Sequence, residues 1–199
     1  MTNTLRVAVA DDEREMREYL QEVLPRLGHR VVAVGETGRQ FVEQCRATKP
    51  DLVISDIKMP EMDGIEVAVA LNRERPVPVV LVSAHHDSEI LTRLGPEPIM
   101  GYLVKPITEA DLKTAIAVAT LRFAHFQALN KEATDLRQAL EDRKVIERAK
   151  GVLMRRLRVD EDEAFRRLRK LASEQNLKLV EVGRRVLSAE DVLSQFDRV

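Results

Sequence analysis

Residues 51–64 read DLVISDIKMPEMDG, and this stretch is the best guide to the fold. Its apolar run, residues 52–55, is short and rich in β-branched side chains, and Asp56 follows the run directly. Short, nearly continuous apolar runs are typical of strands that are buried on both faces of a sheet. The stretch therefore predicts a buried strand that carries an acidic side chain at its carboxyl end.

Four similar runs appear elsewhere in the first half of the chain, and stretches with helical spacing separate them. They cover residues 5–10, 30–34, 77–82 and 99–104. Alternation of this kind predicts an α/β fold in which a doubly wound, five-stranded parallel sheet is covered by helices on both faces. In such sheets the ligand site lies beyond the carboxyl ends of the strands.

Polar residues follow these runs at the expected edge. Asp11 and Asp12 follow the first run, Asp56 the third, Ser83 the fourth and Lys105 the fifth. Three converging carboxylates repel one another and need a cation, and an all-oxygen site suits Mg²⁺. A hydroxyl and an ammonium beside them can offset the charge of a phosphoryl group. Taken singly, Asp12 could cap a helix, Ser83 could end a strand and Lys105 with Pro106 could form a turn. Their joint placement at successive strand ends favours a phosphoryl site.

Four segments, VAVADDE, DLVISDIKMPEMDG, VVLVSA and GYLVKP, resemble the signature segments of the response-regulator receiver family over about residues 4–120. The resemblance implies a flavodoxin-like fold and a sensor histidine kinase as partner. It also implies that Asp56 receives the phosphoryl group and that Ser83 and Lys105 contact its oxygens. Mg²⁺ would be held by Asp11, Asp12, Asp56 and the backbone carbonyl of Lys58.

The resemblance further implies a cis peptide between Lys105 and Pro106, and a switch formed by Ser83 and Tyr102. Tyr102 could instead be a strand residue with an exposed hydroxyl. Lys58 and His85 occupy positions that in the family flank the water attacking the phosphoryl group. The segment before the fifth strand departs from the family pattern by carrying Pro96 and Pro98.

No Gly or Pro occurs between Thr108 and about Leu140, which predicts one long helix. A seam of apolar residues along it has the alternating spacing of a two-stranded coiled coil, with Asn130 as a polar core position. A second register, shifted by one residue, is also compatible. The alternative is a helix that packs on its own receiver, and beyond Phe126 we favour dimerisation. The first seam is Leu112, Ile116, Ala119, Phe123 and Phe126, and the second is Leu129, Ala133, Leu136 and Leu140.

The last 60 residues predict a three-helix unit, with helices over 142–157, from 160, and over 177–187. Residues 141–199 hold 15 Lys/Arg against 12 Asp/Glu, whereas residues 1–140 hold 17 against 21. A basic segment on an acidic body weakly indicates an anionic partner. The expected core comprises Val145, Ala149, Val152 and Leu153 facing Phe165, Leu168, Leu171 and Ala172. From the residues alone, the unit is either an interaction module or a nucleic-acid binder.

A resemblance to the ANTAR family of RNA-binding transcription antiterminators covers about residues 138–188, although Gly183 replaces the usual alanine. It is carried by residues 142–187, DRKVIERAKGVLMRRLRVDEDEAFRRLRKLASEQNLKLVEVGRRVL. The resemblance implies binding to hairpin RNA in a nascent transcript, which keeps a terminator from forming. Alternatives are a helix-turn-helix that binds DNA through Arg184 and Arg185, and a module for a protein partner. The candidate RNA contacts are Arg143, Lys144, Arg148, Lys150, Arg155 and Arg156, and further candidates are Lys178, Arg184 and Arg185.

The predicted organisation is a receiver domain over 1–120, a coiled-coil linker over 121–140 and the RNA-binding domain over 141–199. We expect phosphorylation to promote a homodimer. Composition is that of a globular protein, with 44% hydrophobic and 33% charged residues. The single cysteine, Cys45, allows no internal disulfide. Because no targeting or membrane segment is visible, the sequence predicts a cytoplasmic protein.

Overall fold

A computed structural model of the chain describes residues 4–84 and 99–196. His85, Pro96, Pro98 and the helix expected before the fifth strand lie outside these residues. The strands are β1 (Arg6–Ala10), β2 (Arg30–Gly35), β3 (Leu52–Asp56), β4 (Val79–Ser83) and β5 (Ile99–Val104). The helices are α1 (Arg14–Arg26), α2 (Gly38–Thr48), α3 (Gly64–Glu74), α4 (Glu109–Leu157), α5 (Glu161–Gln175) and α6 (Leu179–Phe196).

The five strands form one parallel sheet in the order β2-β1-β3-β4-β5. This confirms the predicted doubly wound sheet. Three strands, β2, β3 and β4, end one residue later than the sequence runs suggested, so that Asp56 and Ser83 are the last residues of β3 and β4. The chain order reverses between β1 and β3, and open sheets of this type bind ligands at that reversal.

Alternate strand residues face two separate apolar cores, which explains why the strands read as continuous apolar runs. Ala8 and Val53 pack with α2 and α3 on one face, where Cys45 is also buried. Val9 and Ile54 pack with α1 and the first turns of α4 on the other face. Burial raises the pKa of the Cys45 thiol to about 12.

Helix α4 runs without interruption from Glu109 to Leu157, so the separate helix expected from residue 142 is the continuation of the same helix. In its first part, Leu112, Ile116 and Ala119 are buried in the receiver core, and Phe123 and Phe126 pack against that core. For these five residues the alternative is therefore the one observed: the helix packs on its own receiver, which covers those side chains. Further along, three leucines of the second register are exposed: Leu129 (65%), Leu136 (60%) and Leu140 (59%).

The second part of the chain has its own small core, built by the end of α4 with α5 and α6. Its buried residues are Ala149, Leu168, Ala172 and Val182. Phe165 and Leu171 were expected in this core, but they are 36% and 38% exposed, so that expectation is wrong. A Cβ atom on Gly183 would lie 3.2 Å from Val145, which shows how closely α6 approaches α4 there.

The chain divides into two compact units, residues 1–128 and 129–199. Among the described helices, none combines the length and apolar character that a bilayer crossing requires.

Candidate functional site

Three strand ends bring the predicted phosphoryl-site residues together at one edge of the sheet. Asp11 directly follows β1, while Asp56 and Ser83 end the paired strands β3 and β4. All three are buried, with exposed fractions of 1%, 5% and 3%. Lys105 directly follows β5, and its backbone N–H donates to the carbonyl of Ser83 at 2.8 Å. The peptide bond between Lys105 and Pro106 is cis, as expected.

The ammonium of Lys105 lies between two buried carboxylates. Its Nζ atom is 2.9 Å from Oδ2 of Asp11 and 3.2 Å from Oδ1 of Asp56. Glu13 contributes a third, exposed carboxylate at 3.4 Å. One cation therefore offsets part of the charge of two buried acids at the edge where a phosphoryl group would bind.

The loop after Asp56 holds that side chain in place. Its Oδ2 accepts a hydrogen bond from the backbone N–H of Lys58 at 2.7 Å. Helix α3 begins at Gly64, where a Cβ atom would collide with the carbonyl oxygen of Asp56, so the close approach requires glycine. Asp63 and Glu66 form a capping box that fixes the start of this helix.

Two opposing effects, burial and the positive charge of Lys105, set the pKa values of the acidic residues in the site. Burial raises the pKa of Asp56, the nearby charge of Asp11 raises it further, and Lys105 offsets part of the rise. Burial also raises the pKa of Asp11, against the hydrogen bonds from Lys105 and the Glu13 backbone. For Lys105, burial lowers the pKa, but the two carboxylates outweigh it and raise the pKa well above its ordinary value.

A small cleft of about 140 Å³ opens beside these residues. Its lining includes Asp12, exposed beside the buried pair, together with Asp56, Ser83 and Lys105. Among the described residues, Oδ2 of Asp11 is a buried oxygen that accepts no well-aligned hydrogen bond, although the Lys105 ammonium lies close to it. No group of three or more His, Cys, Asp or Glu side chains in the described part of the chain is arranged closely enough to hold a metal. The carboxylates of Asp12 and Asp56 in the cleft are nevertheless the kind of oxygen donor that a hard cation binds, and the ammonium of Lys105 contacts Asp56 beside them.

In the second unit, the candidate RNA contacts differ in their surroundings. Arg143, Arg148 and Arg155 are exposed. Lys150 is only 8% exposed, and its Nζ atom lies 2.8 Å from Glu147 and 2.6 Å from Glu161. The interpretation of Lys150 as an RNA contact does not fit this burial, since both hydrogen-bonded carboxylates would have to be displaced.

Phe165 lies beside this ion pair at the surface of the unit. Lys150 and Arg169 place their charged groups over its ring, 5.7 and 5.8 Å from the centroid. Packing between a lysine stem, a guanidinium and a ring is favourable at a partly exposed position. This arrangement explains why an aromatic side chain at a core-like spacing remains outside the core.

Comparison with known proteins agrees with this geometry. The family model of the response regulator receiver domain matches residues 7–117, which is more than half of the chain. The chain belongs to the response regulator receiver family. A second family model, the ANTAR domain, matches residues 134–187. The chain is thus a phosphorylation-regulated response regulator with the output domain of RNA-binding antiterminators, and this match supports RNA over the helix-turn-helix alternative.

This response regulator is similar to one transcriptional regulator over most of its length and to solved receiver domains over about three-fifths of it. The transcriptional regulatory protein PdtaR of Mycobacterium tuberculosis is 37% identical over 182 residues, covering 92% of this chain and 89% of the relative. The receiver domain of a modulated diguanylate cyclase from Desulfovibrio desulfuricans superposes with a TM-score of 0.56 at 26% identity, covering 60% of this chain and 96% of that one. A receiver domain protein from Clostridium thermocellum gives 0.54 at 26% identity, covering 61% and 98%.

One residue of the receiver site was missed by the sequence analysis. The guanidinium of Arg17, on α1, donates to the backbone carbonyls of Asp11 at 2.8 Å and Asp12 at 2.9 Å. Its other nitrogen lies 3.5 Å from Glu36. Arg17 therefore fixes the backbone of the acidic pair. A basic residue one turn into a helix is too common a pattern to predict this role from sequence.

Proposed function

We propose that Asp56 accepts a phosphoryl group from a sensor histidine kinase and that the phosphorylated response regulator binds hairpin RNA through its ANTAR domain. The observation that carries the receiver half is the position of Lys105 between Asp11 and Asp56. A cation held at that point by two buried carboxylates is ready to contact the oxygens of a phosphoryl group on Asp56.

In the transfer, a carboxylate oxygen of Asp56 attacks phosphorus and the bond between phosphorus and the kinase histidine nitrogen breaks. The product is an aspartyl phosphate. Lys105 and Ser83 contact the transferred oxygens, and the backbone N–H of Lys58 orients Asp56 throughout. The chain has no other chemical task here, which is consistent with a regulator that catalyses only its own phosphorylation and dephosphorylation.

Asp11, Asp12, Asp56 and the backbone carbonyl of Lys58 are the residues that would hold Mg²⁺. The incompletely hydrogen-bonded Oδ2 of Asp11 and the exposed carboxylate of Asp12 in the same cleft support this assignment. A divalent cation at this point offsets the negative charge that accumulates during transfer.

Ser83 and Tyr102 form the switch in this proposal. Ser83 is buried at the end of β4, and Tyr102 on β5 is 38% exposed. When Asp56 is phosphorylated, Ser83 moves toward the new negative charge and the ring of Tyr102 fills the space that Ser83 leaves.

The output half acts through positive charge on the ANTAR domain. The exposed Arg143, Lys144, Arg148, Arg155 and Arg156 are the proposed RNA contacts, and Lys150 is left out because it is buried in an ion pair. Two ANTAR domains, each engaging one hairpin, bind with the advantage of high effective concentration when they are joined. We assign that joining to the linker over residues 121–140, between the receiver over 1–120 and the RNA-binding domain over 141–199. Its exposed leucines pair with those of a second copy.

A mobility-shift experiment tests the function as a whole. The full chain, before and after treatment with a small acyl phosphate donor, is mixed with a two-hairpin RNA, the same stems as duplex DNA, and an unstructured RNA. We expect the phosphorylated chain to shift the hairpin RNA at the lowest protein concentration. A preference for duplex DNA would support the helix-turn-helix alternative, and no shift with any nucleic acid would support a protein partner.

A further inference from the structure

One face of α4 carries a continuous row of basic residues with a glycine at its centre. The row has spacings of four, three, four and three, which places its helical members above one another, and its last member directly follows the helix. All four basic members are exposed. Lys144 pairs with Glu141 at 2.7 Å, but no carboxylate in the described part of the chain pairs with the other three. The row consists of Lys144, Arg148, Gly151, Arg155 and Arg158.

Gly151 is not required by the packing of the ANTAR domain. A Cβ atom there would meet only the guanidinium of Arg155, at an ordinary contact distance of 3.7 Å. At Gly183, by contrast, a Cβ atom would press against Val145 at 3.2 Å. Glycine inside a helix lowers stability by about 1 kcal/mol relative to alanine. The packing within the domain therefore does not explain why residue 151 is glycine.

The core of the domain lies on other sides of the helix. Ala149 and Val152, which lie close to Gly151 in sequence, are buried at 0% and 6% exposure. Given a rotation of about 100° per residue, Gly151 is about 160° from Ala149 and about 100° from Val152, while Arg148 is about 40° from Val152 at the edge of the packed side. The centre of the row therefore faces away from the core that α4 forms with α5 and α6.

We propose that the sugar-phosphate backbone of the RNA lies directly against α4 at Gly151, with its phosphates held by Lys144, Arg148, Arg155 and Arg158. This inference rests on the proposed RNA-binding function and names the surface that performs it. The missing side chain allows the closest approach at the centre of the row, and the cations above and below it neutralise successive phosphates.

A second copy of the chain is a poorer occupant of the same surface. Symmetric pairing would bring the basic rows of the two copies together, so that Arg148 and Arg155 meet other cations, and like charges at short range repel. No aromatic side chain belongs to the row, which disfavours stacking on bases as the main contact. The phosphates of the RNA backbone carry the charge opposite to that of the row. Paired RNA is also recognised mostly by its shape and its backbone, which fits contacts from a row of cations.

The other two proposed contacts do not belong to the row. Arg143 precedes Arg148 by five residues, and this spacing does not place two side chains on the same face of a helix. Arg156 already forms an ion pair with Glu190 at 2.8 Å. The row thus narrows the set of contacts and adds Arg158, which the sequence analysis did not select.

Gly151→Ala in the full chain is the sharpest test, because it changes no charge and favours the helix. The probe is a stem-loop RNA with a randomised loop, at low salt, with the same stem as duplex DNA for comparison. We expect the RNA affinity to fall about tenfold or more, equivalent to about 1.4 kcal/mol or more. The melting temperature should stay the same or rise, which excludes misfolding as the cause.

Arg148→Ala and Arg137→Ala are a matched pair on the same helix. Both remove one exposed guanidinium, but only Arg148 belongs to the row. We expect Arg148→Ala to reduce the slope of log Kd against log salt by about one phosphate contact, and Arg137→Ala to leave the slope unchanged.

The outcomes separate two kinds of failure. If the wild-type chain binds the stem-loop RNA and Gly151→Ala binds it equally well, this surface assignment is overturned while RNA binding stands. If the wild-type chain does not bind the RNA at all, the proposed function fails and this inference fails with it. An equal loss of duplex DNA binding in Gly151→Ala would contradict the assignment of the row to RNA.

Discussion

The ammonium nitrogen of Lys105 lies 3.2 Å from Oδ1 of Asp56. The same nitrogen is 2.9 Å from Asp11, so a single positive charge serves two buried acids. Lys105 alone therefore offsets only part of the charge that these two acids carry when they are ionised. The first two predictions concern Asp56 itself.

Asp56→Asn should abolish labelling by a small acyl phosphate donor or by the cognate kinase, because an amide cannot form the acyl phosphate. Chelation of Mg²⁺ should have the same effect on the wild-type chain. Intact-mass and peptide-level mass spectrometry measure the modification. Asp135→Asn, which changes an exposed acid on α4, is the control and should be labelled normally. Undiminished labelling of the Asp56→Asn variant would show that another residue is the nucleophile.

Asp56→Asn should also raise the thermal stability of the unphosphorylated receiver. The pKa of Asp56 is raised in the folded state, chiefly by burial, so its ionised form destabilises the fold. The gain should be full above the raised pKa, shrink as the pH falls toward the ordinary value, and vanish below it. Thermal unfolding of both chains across the acidic range tests this sign. A gain that grows on acidification would contradict it.

Substitutions at Lys58 and His85 should alter the lifetime of the aspartyl phosphate more than its formation. Lys58 lines the cleft beside Asp56 and cannot act as a carboxylate base toward water, while His85 lies outside the described residues. Lys58→Glu supplies a carboxylate there, and we expect faster autodephosphorylation with little change in the rate of labelling. Phosphoryl loss is followed after removal of the donor. Equal effects on both rates would argue against the assignment.

Leu136→Glu should prevent phosphorylation-dependent pairing, because a charge replaces an exposed apolar side chain of the proposed seam. Phe126, although it fits the earlier seam, is unsuitable because it packs on the receiver core. Sedimentation of the phosphorylated chain measures pairing, and binding to two-hairpin and single-hairpin RNA measures its consequence. Thr134→Glu adds the same charge to another side of α4 and is the control. If Leu136→Glu pairs as well as the wild-type chain, this part of α4 is not the interface between the two copies.

Lys150→Met should lower the melting temperature of the ANTAR domain, because two exposed carboxylates lose their hydrogen-bonded cation. The salt dependence of RNA binding should stay unchanged. Arg167→Met removes a more exposed cation from another ion pair in the same domain and should cost less. Thermal unfolding and salt titrations measure the two effects. If Lys150→Met instead reduces the salt dependence of RNA binding and leaves the stability unchanged, Lys150 contacts RNA.

The receiver site could be predicted from sequence because its chemistry sits where strands end. Five apolar runs placed Asp11, Asp56 and Lys105 at one edge, and the sheet order brought those residues together. Arg17 could not be predicted, since its role depends on the path of the backbone at Asp11 rather than on a motif.

The second unit was less predictable, because helical spacing shows which residues share a face but not which face a neighbouring helix covers. Phe165 has the spacing of a core residue, yet its ring lies at the surface with Lys150 and Arg169. Lys150 has the composition of a nucleic-acid contact, yet two glutamates enclose its ammonium. Both outcomes depend on tertiary contacts between α4 and α5.

The surroundings of Cys45 determine how this protein can be studied with probes. The only thiol of the chain is 3% exposed, and burial raises its pKa to about 12, so very little reactive thiolate is present at neutral pH. A cysteine introduced on the exposed part of α4, for example Gln138→Cys, would react with maleimide or spin-label reagents while Cys45 stays unmodified. Distances between two labelled copies can thus be measured by spectroscopy on the otherwise unaltered sequence.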